Sequence, residues 1–153
     1  MNISKITDNL FIGDTPGRDE YDALRDLGVR LIINMRFDRR PAIDLHQPPL
    51  EFLWLRTFDN PVLPIPIRSL MRGVHAALET IREGGKVYTH CTRGRHRGVA
   101  MGAAILIALG YDPDEAIELI KVRRPSSDPD AFYIRRRILR FARAWSRPVG
   151  DSG

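Results

Sequence analysis

The sequence predicts an α/β layer sandwich, with a central, largely parallel sheet of four to five strands and helices on both faces. Short apolar runs of strand type alternate with helical periodicities along the chain, and no segment is repeated or of low complexity. With 153 residues, 43 % hydrophobic and 28 % charged, the chain suits one domain. That domain is expected over 1–147, leaving 148–153 as a loose C-terminal tail.

The elements follow in order. Leu10–Ile12 is a short strand closed by Gly13. Asp19–Leu27 is helical, with Tyr21, Leu24 and Leu27 on one face and Gly28 just past its end. Leu31–Met35, Phe52–Leu55 and Lys86–His90 are compact strand-type runs. Before the last of these, Ile67, Leu70, Met71, Val74, Leu78 and Ile81 recur at helical spacing until Gly84-Gly85 stops the helix. Val99–Leu109 is apolar nearly all round and so is expected to be buried. Asp112-Pro113-Asp114-Glu115 starts another helix with an N-cap, a first-turn proline and an acidic third position. Ser127-Asp128-Pro129 opens the last helix, whose core face is Ala131, Ile134, Ile138, Phe141 and Trp145. Arg136, Arg140, Arg143 and Arg147 fall on the opposite side of that helix.

Composition narrows the function classes. The single cysteine excludes an internal disulfide framework and a four-cysteine zinc site. A net charge of +5 favours anionic partners. Residues 1–12 carry Asn2, Lys5, Asp8 and Asn9 where a secretory signal needs a continuous apolar stretch, and Val99–Leu109 is too short to span a bilayer. The expected compartment is the cytoplasm.

The chemistry gathers in His90-Cys91-Thr92-Arg93-Gly94-Arg95-His96-Arg97-Gly98, between a strand and a buried helix. A strand–loop–helix of this kind gathers backbone N–H groups and the positive end of the helix dipole around one small space. That space is an anion cradle, and its field favours the nucleophilic thiolate of Cys91. Arg97, at the far rim, can hold two phosphoryl oxygens bidentately. These parts suit nucleophilic phosphoryl transfer: the thiolate attacks phosphorus, and the amides and Arg97 stabilise the spread charge. Water then cleaves the cysteinyl-phosphate. A lone intracellular cysteine is most often a small buried hydrophobe. A core position would not tolerate the glycine and three arginines found within six residues here.

His-Cys-x5-Arg with Gly94 inside resembles the phosphate-binding loop of the cysteine-dependent protein tyrosine phosphatases. The flanking segments resemble their compact dual-specificity branch. Asn9-Leu10-Phe11-Ile12-Gly13, followed by Leu24-x-x-Leu27-Gly28-Val29, is similar to its opening, and Ala116-Ile117 through Val122-Arg123-Arg124-Pro125 to its closing segment. The likeness runs from about Ile3 to Trp145. It implies a dual-specificity phosphatase-like fold. It also implies hydrolysis of phosphotyrosine, with phosphoserine and phosphothreonine as further candidates, through a phosphocysteine. Cys91, Asp59 and Arg97 would be catalytic, and Thr92, Arg93, Gly94, Arg95, His96 and Arg97 would bind phosphate, with His90 and Gly98 in support.

A leaving oxygen needs a proton, so a carboxylic acid should face the cradle from the carboxyl end of a strand. Asp38 and Asp59 both qualify. Asp59 is preferred because it stands 32 residues before Cys91, a separation similar to that of dual-specificity phosphatases, and opens a loop stiffened by Pro61, Pro64 and Pro66. Read without a partner, Asp59-Asn60-Pro61 is a turn. One departure stands out. The family commonly has Ser or Thr after the loop arginine, to assist departure of the thiolate, and here the residue is Gly98. Slow breakdown of the phosphoenzyme is therefore expected, with Thr92 or His96 as substitutes for the hydroxyl; otherwise the His96 ring is expected to be solvated.

Arg93 and Arg95 are expected at the rim, either contacting a second anionic group or raising the local potential. His90 is expected to orient the loop, and His46 and His75 to be structural. No cofactor or metal is expected. The partners are a phosphorylated protein or another anionic phosphoester. The arginine stripe has no interleaved aromatics for base stacking, so no specific nucleic-acid role is assigned. Two other readings remain: the same mechanism on a phosphoinositide, inositol phosphate or RNA 5′-triphosphate, and a phosphate-binding module with low turnover.

Overall fold

β1 (Ile3–Lys5), β2 (Leu10–Gly13), β3 (Val29–Arg36), β4 (Glu51–Thr57) and β5 (Lys86–His90) form one sheet in the spatial order β1-β2-β5-β3-β4. This computed structural model describes residues 2–146, so Arg147 and the expected tail 148–153 lie outside the described residues. β1 runs antiparallel to β2, and the other three pairings are parallel. The four strands read from sequence are all present. β1 was not readable, because three residues of mixed exposure carry no alternation.

The alternation of side chains across the sheet divides the core. Leu10, Ile12, Leu31, Ile33, Met35 and Val87 face one side. There they meet α2 (Ile67–Arg82), α3 (Arg97–Ala108), α4 (Pro113–Arg123) and α5 (Phe132–Ser146). Phe11, Ile32 and Tyr88 face the other side, where Tyr21 and Leu24 of the short α1 (Tyr21–Asp26) cover them. Helices therefore lie on both faces, as parallel sheets require. The helix expected over Asp19–Leu27 is divided, with a 3-10 turn at Arg18–Glu20 preceding α1.

α3 is buried along almost its full length, and it packs on β5 and β2 on one side and on α2 and α5 on the other. It begins two residues earlier than the apolar run suggests, because Arg97 and Gly98 are drawn into its first turn. α5 begins later than the Ser127-Asp128-Pro129 signal suggests. The Asp128 backbone N–H donates to Arg95 O at 2.9 Å and its carboxylate faces His96, so Asp128 is held against the loop and not at a helix start. Of the five apolar positions read for α5, Ile134, Ile138 and Phe141 are fully buried, and Ala131 and Trp145 pack at the margin.

The central strand β5 sits between β2 and β3, with Gly13 and Asn34 in register with His90. The carboxyl ends of three parallel strands thus lie level beside Cys91. Open α/β sheets gather their ligands at such a point.

Candidate active site

β5 delivers Cys91 to the floor of a cleft, and α3 begins six residues later at Arg97. Asp59, Cys91, Thr92, Arg93, Arg95, His96 and Arg97 line this cleft, which encloses about 340 Å³. Asp59 arrives from the loop after β4. The cleft does not reach Asp38, whose carboxylate takes two 3.2 Å hydrogen bonds from Arg36 and is 71 % exposed. The two candidate acids are thereby separated by geometry.

The loop is held from below. Thr15 Oγ1 donates to Cys91 O at 2.9 Å and accepts from Arg36 at 3.1 Å. Gly94 has φ +67°, and a Cβ there would stand 2.6 Å from both Gly13 O and Arg124 Nη2, so this turn needs glycine twice over. Arg124 is 1 % exposed. Its guanidinium donates to Gly94 O at 2.8 Å and Arg93 O at 3.0 Å, and also to Asn2 Oδ1, Ser4 Oγ and Ile12 O. Two carbonyls of the loop are thus turned toward the buried Arg124 guanidinium. In the sequence Arg124 stands out only as part of a family-like segment, since its partners lie 30 to 122 residues away.

Arg97 is 7 % exposed. Its Nη1 donates to Thr57 O at 2.7 Å and to Met35 O at 3.3 Å, while Nη2 reaches Thr92 Oγ1 at 3.3 Å. Its Nε is buried and has no partner among the described residues. A buried donor left unpaired costs about 1–3 kcal/mol. His90 ends β5, directly before Cys91. Its Nδ1 lies 3.2 Å from Cys91 O, and burial, helped by Arg36 and Arg97, brings its pKa down to about 4, so the ring is neutral.

Gly98 packs on the strand end. A Cβ there would lie 3.0 Å from His90 Cα and 3.2 Å from Cys91 N, and Thr89 Oγ1 donates to Gly98 O at 2.8 Å. The glycine lets the helix N-terminus close directly on the backbone of Cys91.

The expectation of a solvated His96 ring is corrected. The side chain is 19 % exposed, with Nδ1 3.0 Å from Asp59 Oδ2 and Nε2 3.4 Å from Asp128 Oδ2. Tyr133 on the first turn of α5 donates to Asp59 Oδ1 at 2.6 Å. Burial pushes the Asp59 carboxyl up. The hydrogen bonds from Tyr133 and His96, with the charge of His96 and Arg97, outweigh burial and hold it below the ordinary carboxylate range. The Tyr133 hydroxyl is pushed up to about 12, by burial and then by Asp59. Nothing in sequence marks Tyr133 or Asp128 as neighbours of Asp59; only the packing of α5 brings them there. Away from the cleft, the His75 ring lies tilted against Trp145, with centroids 5.8 Å apart, and His46 lies exposed before β4.

Two outcomes follow from this geometry. Arg124→Met strips the donors from five buried or half-buried acceptors. It should cost about 3–5 kcal/mol in urea unfolding and abolish vanadate binding under conditions where the protein is still folded. In Tyr133→Phe the ionised form of Asp59 loses a hydrogen bond, so the Asp59 pKa rises. A step that needs protonated Asp59 fails as pH climbs through that pKa, so the alkaline limb of kcat/KM should move to higher pH. An unmoved limb in a folded Tyr133→Phe variant would separate this hydroxyl from the acid's protonation.

No family model matches the chain. A mouse protein, dual specificity phosphatase 28, is 26 % identical over 129 residues, covering 83 % of this chain and 76 % of its own length. The rat phosphatidylglycerophosphatase and protein-tyrosine phosphatase 1 is 43 % identical over 128 residues, covering 78 % of this chain and 66 % of its own. The crystal structure of PTPMT1 in complex with PI(5)P superposes with a TM-score of 0.82 at 26 % identity, over 94 % of this chain and 96 % of that one. The chain belongs to the cysteine-dependent protein tyrosine phosphatase superfamily, in its compact dual-specificity branch, and is a phosphoric monoester hydrolase.

Proposed function

We propose that the protein removes phosphate from phosphotyrosine, and from phosphoserine and phosphothreonine, by way of a phosphocysteine on Cys91. The observation that carries this reading is that Cys91, Arg97 and Asp59 line one cleft, with the buried Nε of Arg97 left unpaired among the described residues. The Cys91 thiolate forms a bond to phosphorus as the ester oxygen leaves, taking the Asp59 proton. Arg97, the inward amides and the N-terminus of α3 stabilise the equatorial oxygens. A water then attacks phosphorus, giving its proton to Asp59, and the thiolate departs with its electron pair. The ionised state favoured in the tether is the one required for this second half. In the first half the incoming phosphate dianion raises the Asp59 pKa and makes the proton available.

No hydroxyl follows Arg97, so departure of the thiolate falls to the amides and to Thr92, whose hydroxyl contacts Arg97. The second step is the slow one. Among the described residues no helix is long and apolar enough to cross a membrane, and the cytoplasm is the compartment proposed.

A second reading keeps the mechanism and changes the substrate to a phospholipid headgroup. The rat relative's name includes a lipid phosphatase, PTPMT1 has been crystallised with PI(5)P, and Val62 and Leu63 stand exposed on the acid's own loop. Rates on phosphotyrosyl and phosphothreonyl peptides, set against phosphatidylglycerophosphate and PI(5)P in mixed micelles, rank the two readings directly.

The kinetic expectation is a burst of para-nitrophenol equal to the enzyme, followed by slow turnover, both lost in Cys91→Ser. Gly98→Ser supplies the hydroxyl. Its Cβ must displace the His90 backbone by a few tenths of an ångström, and the variant should turn over about tenfold faster in steady state with an unchanged burst. Linear release without a burst in the wild type would place the slow step before phosphoenzyme formation.

A further inference from the structure

The stripe of arginines on α5 plays no part in the chemistry above, yet it adjoins the acid. Taking Tyr133 as zero and about 100° per residue, Arg136, Arg137, Arg140 and Arg143 fall within an arc of about 120° that includes Tyr133 itself. Tyr133 bonds to Asp59, and one turn on Arg137 Nε donates to Ile65 O at 2.9 Å, six residues beyond Asp59 on the same loop. The arginine face therefore starts at the cleft and leads away from it. With Leu139 and Ile67, these four arginines line a groove of about 480 Å³ where α5 meets the start of α2.

The charge in this groove is not neutralised from within. Among the described residues no carboxylate pairs with Arg136, Arg137, Arg140 or Arg143, whereas the neighbouring Arg135 pairs with both Asp114 and Asp130. Burial, then repulsion from Arg140 and Arg136, brings the Arg137 guanidinium below its ordinary range. Holding like charges together is unfavourable unless an anion shares the space.

We propose that this groove binds an acidic stretch of the phosphorylated substrate chain, making α5 a specificity surface for phosphosites with acidic neighbours. The inference rests on the phosphoprotein reading above. At about 1.5 Å of rise per residue, Arg137, Arg140 and Arg143 lie roughly 6, 10 and 15 Å along the axis from Tyr133. An extended peptide advances about 3.3–3.6 Å per residue, so the carboxylates that meet them stand about two to four positions beyond the peptide residue that passes Tyr133 at the cleft. The groove suits a peptide better than other polyanions. It has no aromatic side chain on which a base could stack, and its apolar residues Leu139 and Ile67 are half-buried, unlike the protruding residues with which a protein enters a bilayer.

The test compares two phosphotyrosyl peptides that differ only at those positions, acidic in one and neutral in the other, each extended on both sides of the phosphoresidue. The enzymes are the wild type and the triple variant Arg136→Gln, Arg140→Gln, Arg143→Gln, whose changed side chains are exposed. The wild type should prefer the acidic peptide about tenfold in kcat/KM at low salt, with the preference fading as salt is added. The triple variant should lose the preference and keep its rate on para-nitrophenyl phosphate. Equal rates on both peptides by the wild type would overturn the proposal while leaving the phosphatase reading intact. No cleavage of either peptide, with para-nitrophenyl phosphate still hydrolysed, would instead remove the phosphoprotein reading and this proposal with it. Binding to phosphatidylglycerol vesicles that the triple substitution abolishes, with the peptide preference retained, would assign the groove to a membrane and overturn it too.

Discussion

The buried guanidinium of Arg124 is the interaction on which the site depends. One cation joins the N-terminal strands, the end of β2 and the carbonyls of Arg93 and Gly94. A loop that offers its amides to an anion has its carbonyls pointing elsewhere, and buried carbonyls need donors. A planar group with five N–H bonds satisfies several acceptors at once, which no neutral side chain can do. Its cost is a buried positive charge, and that charge lies beneath a site built to hold a negative one.

Above this base the electrostatics point one way. Arg97, which lines the cleft, is fixed by two backbone carbonyls, and α3 brings a helix N-terminus to the same place. Donors fixed before the substrate arrives stabilise a transition state without reorganisation at the moment of reaction. Among the described residues Asp59 is the one carboxylate lining this cleft, and Tyr133 and His96 hydrogen-bond to it. A restrained acid whose resting state is ionised suits a reaction that uses it first as an acid and then as a base.

What the sequence made legible was the local part. Cys91 and Arg97 could be read because six residues of loop carry the whole cradle, and β2 to β5 because parallel strands are short continuous apolar runs. The strand-end rule leaves Asp38 and Asp59 level, and Asp59 is preferred on a spacing that resembles the family's and on its loop prolines. In the structure Asp59 lines the cleft, while Asp38 pairs with Arg36 outside it. The functions of Arg124, Tyr133 and Asp128 were out of reach, because each depends on a partner at least 30 residues away in the chain. His96 was misjudged for the same reason: its neighbours in sequence are polar and basic, while its neighbours in space are two carboxylates.

The most direct test of the account is to find where the phosphoryl group rests during turnover. Enzyme mixed with ³²P-labelled phosphopeptide, quenched in acid within the first turnover and digested, should carry the label on the peptide containing Cys91, at close to one phosphate per enzyme. Sustained hydrolysis with no label on Cys91 at any quench time would contradict it, and would mean that water attacks phosphorus directly in this cleft.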